Sequence, residues 1–114
     1  MTPGTPGGPV CLTAVIPCRP GTADAVEAAL LAVGVAVAAS EPGTLGYRVV
    51  RIDGDAPVLL THERFRDREA MRAHNEGAAS QAFFAATRGM LGDVTVLIGD
   101  EIQDHAAAAA ASIG

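Results

Sequence analysis

The sequence predicts one α+β domain in which strands and helical regions follow one another as β-α-β-β-α-β. Three observations carry that prediction. The chain has 114 residues and a 49% hydrophobic content, enough for a single core. Four segments have the β-branched, alternating character of strands. The two segments between them carry apolar residues three and four apart, as a helix packed along one side requires.

Val10 to Pro17, VCLTAVIP, reads as the first strand, with Pro17 closing it. RPGT follows as a turn, Thr22 is placed to cap a helix, and Asp24 and Glu27 suit its positive first turns. That helix runs to about Ser40, where EPG stops it, and its stripe is Val26, Leu30, Val33 and Val37. The reverse side carries Ala28, Ala32, Val35 and Ala39. Thr44 to Asp53 and Val58 to Phe65 form a hairpin across the turn GDAP. Asp67 caps a short helix that reaches about Asn75 and ends at Gly77; another runs from about Ala79 to Arg88. Val94 to Ile102 is the last strand.

This order is the ferredoxin-like pattern, a four-stranded antiparallel sheet with helices on one face. The strands are apolar on both faces: Tyr47 and Val49 on one side of the second strand, Val50 and Ile52 on the other. The chain has no second helical layer for the remaining face. A second copy of the sheet would cover it, so a homodimer is expected.

Composition excludes several roles. The net charge is −5 and no basic run offsets it, so nucleic acid is not expected as a partner. Aromatic residues are 4% and tryptophan is absent, which argues against a base- or sugar-stacking surface. Cys11 and Cys18 are seven residues apart along one extended segment, about 23 Å, far beyond disulfide reach. Free thiols fit a reducing, cytoplasmic setting. MTPGTPGGP lacks the basic and apolar regions of a secretory signal and reads as a disordered leader, residues 1–9. The domain is expected over 10–103 and an alanine-rich, low-complexity tail over 104–114. No membrane span is expected; the nearest candidate, Ala25 to Ala39, is short and interrupted by Glu27 and Gly34.

Three segments resemble the antibiotic biosynthesis monooxygenase family. SEPGTLGYRVVR is similar to its EPG-x-x-x-Y-x-V segment, THERFRDREAMRAH to its Y-E-R-W-x-D-x-x-A-L-x-A-H segment, and SQAFFAA to the helix that follows. The resemblance spans about Val10 to Ile102. It implies a dimeric α+β barrel and a monooxygenase that uses O₂ without flavin, haem or metal on a quinol or an aromatic polyketide-like phenol. The deprotonated substrate would itself supply the electrons. A non-catalytic dimeric barrel binding a small ligand is the alternative, as is a polyketide cyclase or isomerase on the same scaffold. The chain departs from the family at three places: Ala79 stands where many relatives have a second histidine, Phe65 where tryptophan is common, and His62 where tyrosine is common. The missing tryptophan argues against tryptophan-dependent haem degradation.

His74 and His62 are the candidate catalytic residues, because imidazole accepts protons near neutral pH. His74 has the family match; a helix-interface histidine is its plainer reading. His62 shares a strand face with Leu60 and Arg64, opposite Glu63, so His62 and Glu63 cannot serve one metal. A hydrogen-bonded histidine on a sheet or dimer face is the plainer reading of His62. Tyr47, Asn75 and Arg64 are candidate substrate donors, and Phe65 and Phe83, with Phe84, candidate walls for a flat aromatic ligand. Glu63 is expected to pair with Arg48 or Arg51 across strands. No metal motif is present, and no G-x-G-x-x-G, P-loop or G-x-S-x-G. The resemblance implies a small aromatic substrate and O₂ as partners, with no cofactor.

Overall fold

The computed structural model describes residues 8–105. The expected leader (1–9) and tail (104–114) lie almost wholly outside them. The elements run β1 (Val10–Pro17), α1 (Ala23–Ser40), β2 (Thr44–Ile52), β3 (Val58–Phe65), α2 (Arg68–Glu76), α3 (Ala78–Ala86) and β4 (Thr95–Asp100). The sheet order is β2-β3-β1-β4 and every neighbouring pair is antiparallel. This is the ferredoxin-like α+β fold, with the second helical region divided in two.

Alternation sorts the strands as expected. Leu12, Ala14 and Ile16 of β1 and Leu59, Thr61, Glu63 and Phe65 of β3 point into the core. The α1 stripe of Val26, Leu30, Val33 and Val37 covers them. The opposite face presents Thr13 and Val15 of β1, Arg48, Val50 and Ile52 of β2, and Leu60, His62 and Arg64 of β3. The registers place Thr13 and Arg48 beside His62, and Val15 and Val50 beside Leu60. Among the described residues, no helix crosses that face.

Several local expectations are corrected. Thr22 stands at the start of α1 but makes no side-chain cap. Its hydroxyl instead turns to the carbonyls of Arg19 at 2.7 Å and Met90 at 3.1 Å, which ties the turn before α1 to the loop before β4. Asp67 does cap α2: its Oδ1 accepts from the Ala70 N–H at 2.8 Å. Gly77 both ends α2 and begins α3. Here glycine is a matter of space, since a Cβ would stand 2.9 Å from the Ala73 carbonyl oxygen. β4 is shorter than expected, and α1 is long and apolar enough, by length and composition, to cross a bilayer. Its valine and leucine stripe is nonetheless buried on the sheet, and the alanine-rich reverse side lies outside that stripe.

Candidate active site

Between the inner sheet face and the helices lies a cavity of about 300 Å³, at the lower end of the usual range for small-molecule sites. Its walls are largely apolar: Leu12, Ala14 and Ile16 from β1, Leu30 and Val33 from α1, Phe83 and Phe84 from α3, and Val94 and Val96 at β4. The mouth lies along β4, where Phe84 is 61% and Val96 50% exposed. Polar side chains gather at one end, from Thr61 and Glu63 on β3, His74 on α2 and Ser80 on α3.

His74 is the hub of that end. The Asp67 cap fixes where α2 starts, and Ala70 and His74, one turn apart, then face the sheet together. The His74 ring lies 5.3 Å from the Phe65 ring and 6.4 Å from the Tyr47 ring, centre to centre. Its Nδ1 is 2.7 Å from Glu41 Oε1 and its Nε2 is 3.1 Å from Glu63 Oε1. Nδ1 hydrogen-bonds Glu41, and Nε2 faces Glu63 with the Ser80 hydroxyl 3.5 Å away; two flanking carboxylates, which only accept when ionised, favour the imidazolium, the form with an N–H on each nitrogen. The His74 side chain is 5% exposed and that of Glu63 8%. Burial opposes the charge, but hydrogen bonds to Glu63 and Glu41 and their negative charge outweigh it, so the His74 pKa lies above its ordinary value.

The carboxylates are held in turn. Glu63 Oε2 accepts from the Thr61 hydroxyl at 2.7 Å, and Glu41 Oε1 from the Thr44 hydroxyl at 2.9 Å. The Ser80 hydroxyl donates to the His74 carbonyl at 2.7 Å, which locks α3 onto α2 beside the ring. On the far side of His74 a second hollow, about 240 Å³, is lined by Glu41, Gly43 and Arg66 among others. Tyr47 donates its hydroxyl to the Leu30 carbonyl at 3.1 Å. Burial, then the charge of Glu63, pushes its pKa far up, so it stays a neutral phenol with its proton committed.

The structure thus brings His74, Tyr47, Asn75 and Phe83 to one cavity. It does not bring His62, Arg64 or Phe65 there. His62 is on the outer face, with Nδ1 3.1 Å from Thr13 Oγ1. Arg64, on the same face, is paired with Glu101. Phe65 is fully buried against the His74 ring, behind the cavity wall. One strand period explains the first two: even-numbered residues of β3 look away from the helices. Glu63 pairs with neither expected arginine. Arg51 lies across α1, bound to Asp24 and Glu27, while Glu63 takes Thr61 and His74. Glu41, Thr61 and Ser80 were not expected in the site at all. The only sequence signal for Glu41 was its place in the EPG segment, where it read as a helix stop. Among the described residues, no group of three or more His, Cys, Asp or Glu is arranged to hold a metal ion.

The profile of one family matches residues 9–86, that of the antibiotic biosynthesis monooxygenases. The chain belongs to this family. Among solved structures, PA3566 from Pseudomonas aeruginosa is 27% identical, with a TM-score of 0.75 over 88% of this chain and 100% of that one. A Caulobacter crescentus protein assigned to antibiotic biosynthesis monooxygenase by name is 23% identical, with a TM-score of 0.79 over 85% of this chain and 92% of that one. Rv0793 from Mycobacterium tuberculosis is 24% identical, with a TM-score of 0.74 over 85% and 98%. The last two show the fold alone. No curated protein matches the chain. For an antibiotic biosynthesis monooxygenase, the matched span contains Thr61, Glu63, His74 and Ser80 at the polar end of the cavity, and Glu41 on the far side of His74.

Proposed function

We propose that this protein is a cofactor-independent monooxygenase that oxidises a quinol or an aromatic polyketide-like phenol with O₂. The observation that carries the reading is the cavity itself: apolar walls sized for a small flat ligand, with Glu63 and His74 at one end. Family membership supports it. The geometry changes the expected division of labour. His74, with both N–H groups given to carboxylates, has no lone pair for a substrate proton. Glu63 does: each of its oxygens accepts one hydrogen bond and has room for another. Glu63 is therefore the base, and His74 is the positioning residue that holds it.

In this reaction the phenol proton passes to Glu63, and the phenolate donates electrons to O₂. A C–O bond forms at a ring carbon that carries hydrogen. The O–O bond then breaks as that carbon becomes a carbonyl. The ring hydrogen, the proton returned by Glu63 and one oxygen atom leave as water. Phenol plus O₂ gives quinone plus water, with no other oxidant or reductant. The apolar walls limit the water that would otherwise intercept the intermediates.

A second copy on the outer sheet face belongs to the same proposal. That face carries Val15, Val50, Ile52 and Leu60 with no helix over them, and burying it leaves the mouth at β4 free. Light scattering should give twice the chain mass, and Leu60→Asp should shift it toward the monomer.

An oxygen electrode tests the activity. Wild-type protein should consume O₂ with an electron-rich quinol and no added cofactor, and Glu63→Gln should lose about 10²–10⁴-fold. No uptake with any quinol or naphthol, or turnover that persists without oxygen, would overturn the reading in favour of ligand binding or cyclisation respectively.

A further inference from the structure

The line Glu41–His74–Glu63, buried at its His74 and Glu63 end, has a consequence for the charge of whatever enters. Two carboxylates and one imidazolium leave it one net negative charge. Among the described residues, His74 and Glu63 are the ionisable side chains of the acid–base type on the cavity wall beside the neutral Tyr47, and no arginine lines it. The basic residues nearest the line face elsewhere. Arg66 looks into the second hollow and contacts Asp67, Arg51 is held by Asp24 and Glu27, and Arg64 by Glu101. Tyr47 adds no charge and its proton is spent on Leu30.

We infer that the cavity selects an uncharged, hydrogen-bond-donating aromatic ligand and rejects an anionic one of the same shape. The inference rests on the cavity being the site for a phenolic substrate. Its physical basis is charge conservation in a low-dielectric space. A neutral phenol entering beside the line leaves the total at −1. Moving its proton to Glu63 keeps the total at −1, now on the ligand, with the line neutral. A carboxylate ligand would raise the total to −2 with no cation free to meet it, and like charges at close range inside a protein repel strongly. Simple phenols are neutral at pH 7, tyrosine's own value being about 10, so the protonated form is the one offered. The site would thus make its phenolate in place. An ionised substrate held by arginine or tyrosine donors has no support in this geometry.

Three probes of one shape test it by calorimetry at neutral pH: 2-naphthol, 2-naphthamide and 2-naphthoate. The naphthol and the amide should bind with similar affinity, and the carboxylate about tenfold or more weaker. In Glu63→Gln, which removes one carboxylate charge, the gap between amide and carboxylate should narrow. If naphthoate binds as tightly as naphthamide, or if neither neutral probe binds, the inference is overturned. The amide comparison uses wild-type protein alone, so it stands whether or not the variant folds. It also separates the two proposals. Neutral-selective binding without oxygen uptake keeps the inference and removes the oxygenase reading. Oxygen uptake without discrimination does the reverse.

Discussion

The two faces of β3 differ by one residue of register and by almost everything else. On the inner face, Thr61 and Glu63 form a hydrogen-bonded seam with His74. On the outer face, His62 hydrogen-bonds the hydroxyl of Thr13, and Arg64 pairs with Glu101. His62 and His74 are twelve residues apart and looked equivalent as chemistry. What separates them is company. The His74 ring lies between two carboxylates that favour its protonated form, whereas the exposed ring of His62 forms no ion pair among the described residues. A histidine's value to a site depends on what its two nitrogens meet, and in a strand-helix layer only one face offers such partners.

The sharpest break of this comparison is His74→Ala. It leaves the buried Glu63 and the half-buried Glu41 without their shared cation, so it should cost about 3–5 kcal/mol in denaturant unfolding. A loss below about 1 kcal/mol, the range of an exposed ion pair, would mean the inner seam is no more than a surface contact.

Gly43→Ala probes the same seam from the turn that carries Glu41. A Cβ there would stand 2.8 Å from the Ala70 Cβ, so α2 or the turn must shift. The expected cost is about 1–3 kcal/mol, as for overpacking elsewhere. An unchanged melting temperature would show that α2 docks more loosely than the seam requires.

The pH dependence follows from the sign of the His74 shift. Its folded pKa is raised above 6.5, so its stabilising contribution is complete below that value and is lost as pH rises through the raised one. Wild-type stability should therefore fall on the alkaline side of about 6.5 relative to His74→Ala, which lacks this group. Parallel curves would exclude a charged His74.

The smallest effect is expected on the outer face. His62→Ala removes one hydrogen bond to Thr13 and should cost about 1 kcal/mol or less. Oxygen uptake should be unchanged. A large loss of rate would put His62 back among the catalytic residues and overturn the division between the faces.

Much of the fold was legible because it is written in local periods. The α1 stripe emerged as expected, and alternation in β3 correctly set Glu63 opposite His62. The Asp67 cap was legible for the same reason, since it acts over three residues. The site was less so. Glu41 and His74 are 33 residues apart, and they meet only because α2 docks beside the turn between α1 and β2. No local pattern encodes that docking. Thr22 misled for a related reason: its hydroxyl found the Met90 carbonyl, 68 positions away, in place of its own helix. Glu63 was placed on the correct strand face but given the wrong partner, because a cross-strand arginine is a local guess and a histidine from a following helix is not.

The mouth along β4 bears on turnover kinetics. Phe84 and Val96 flank it half-exposed, and no described loop or helix lies over it. Ligand exchange through such a mouth is expected to need no lid among the described residues, unlike enzymes whose release step sets the rate. Association should approach the typical unsteered range of about 10⁵–10⁷ per molar per second, in a single phase linear in ligand concentration by stopped flow. A saturating, concentration-independent phase would reveal a gate. If the proposed oxygenase reaction holds, free exchange would leave the slow step of each cycle to oxygen chemistry within the cavity, and dissolved O₂ would govern the rate more than substrate supply.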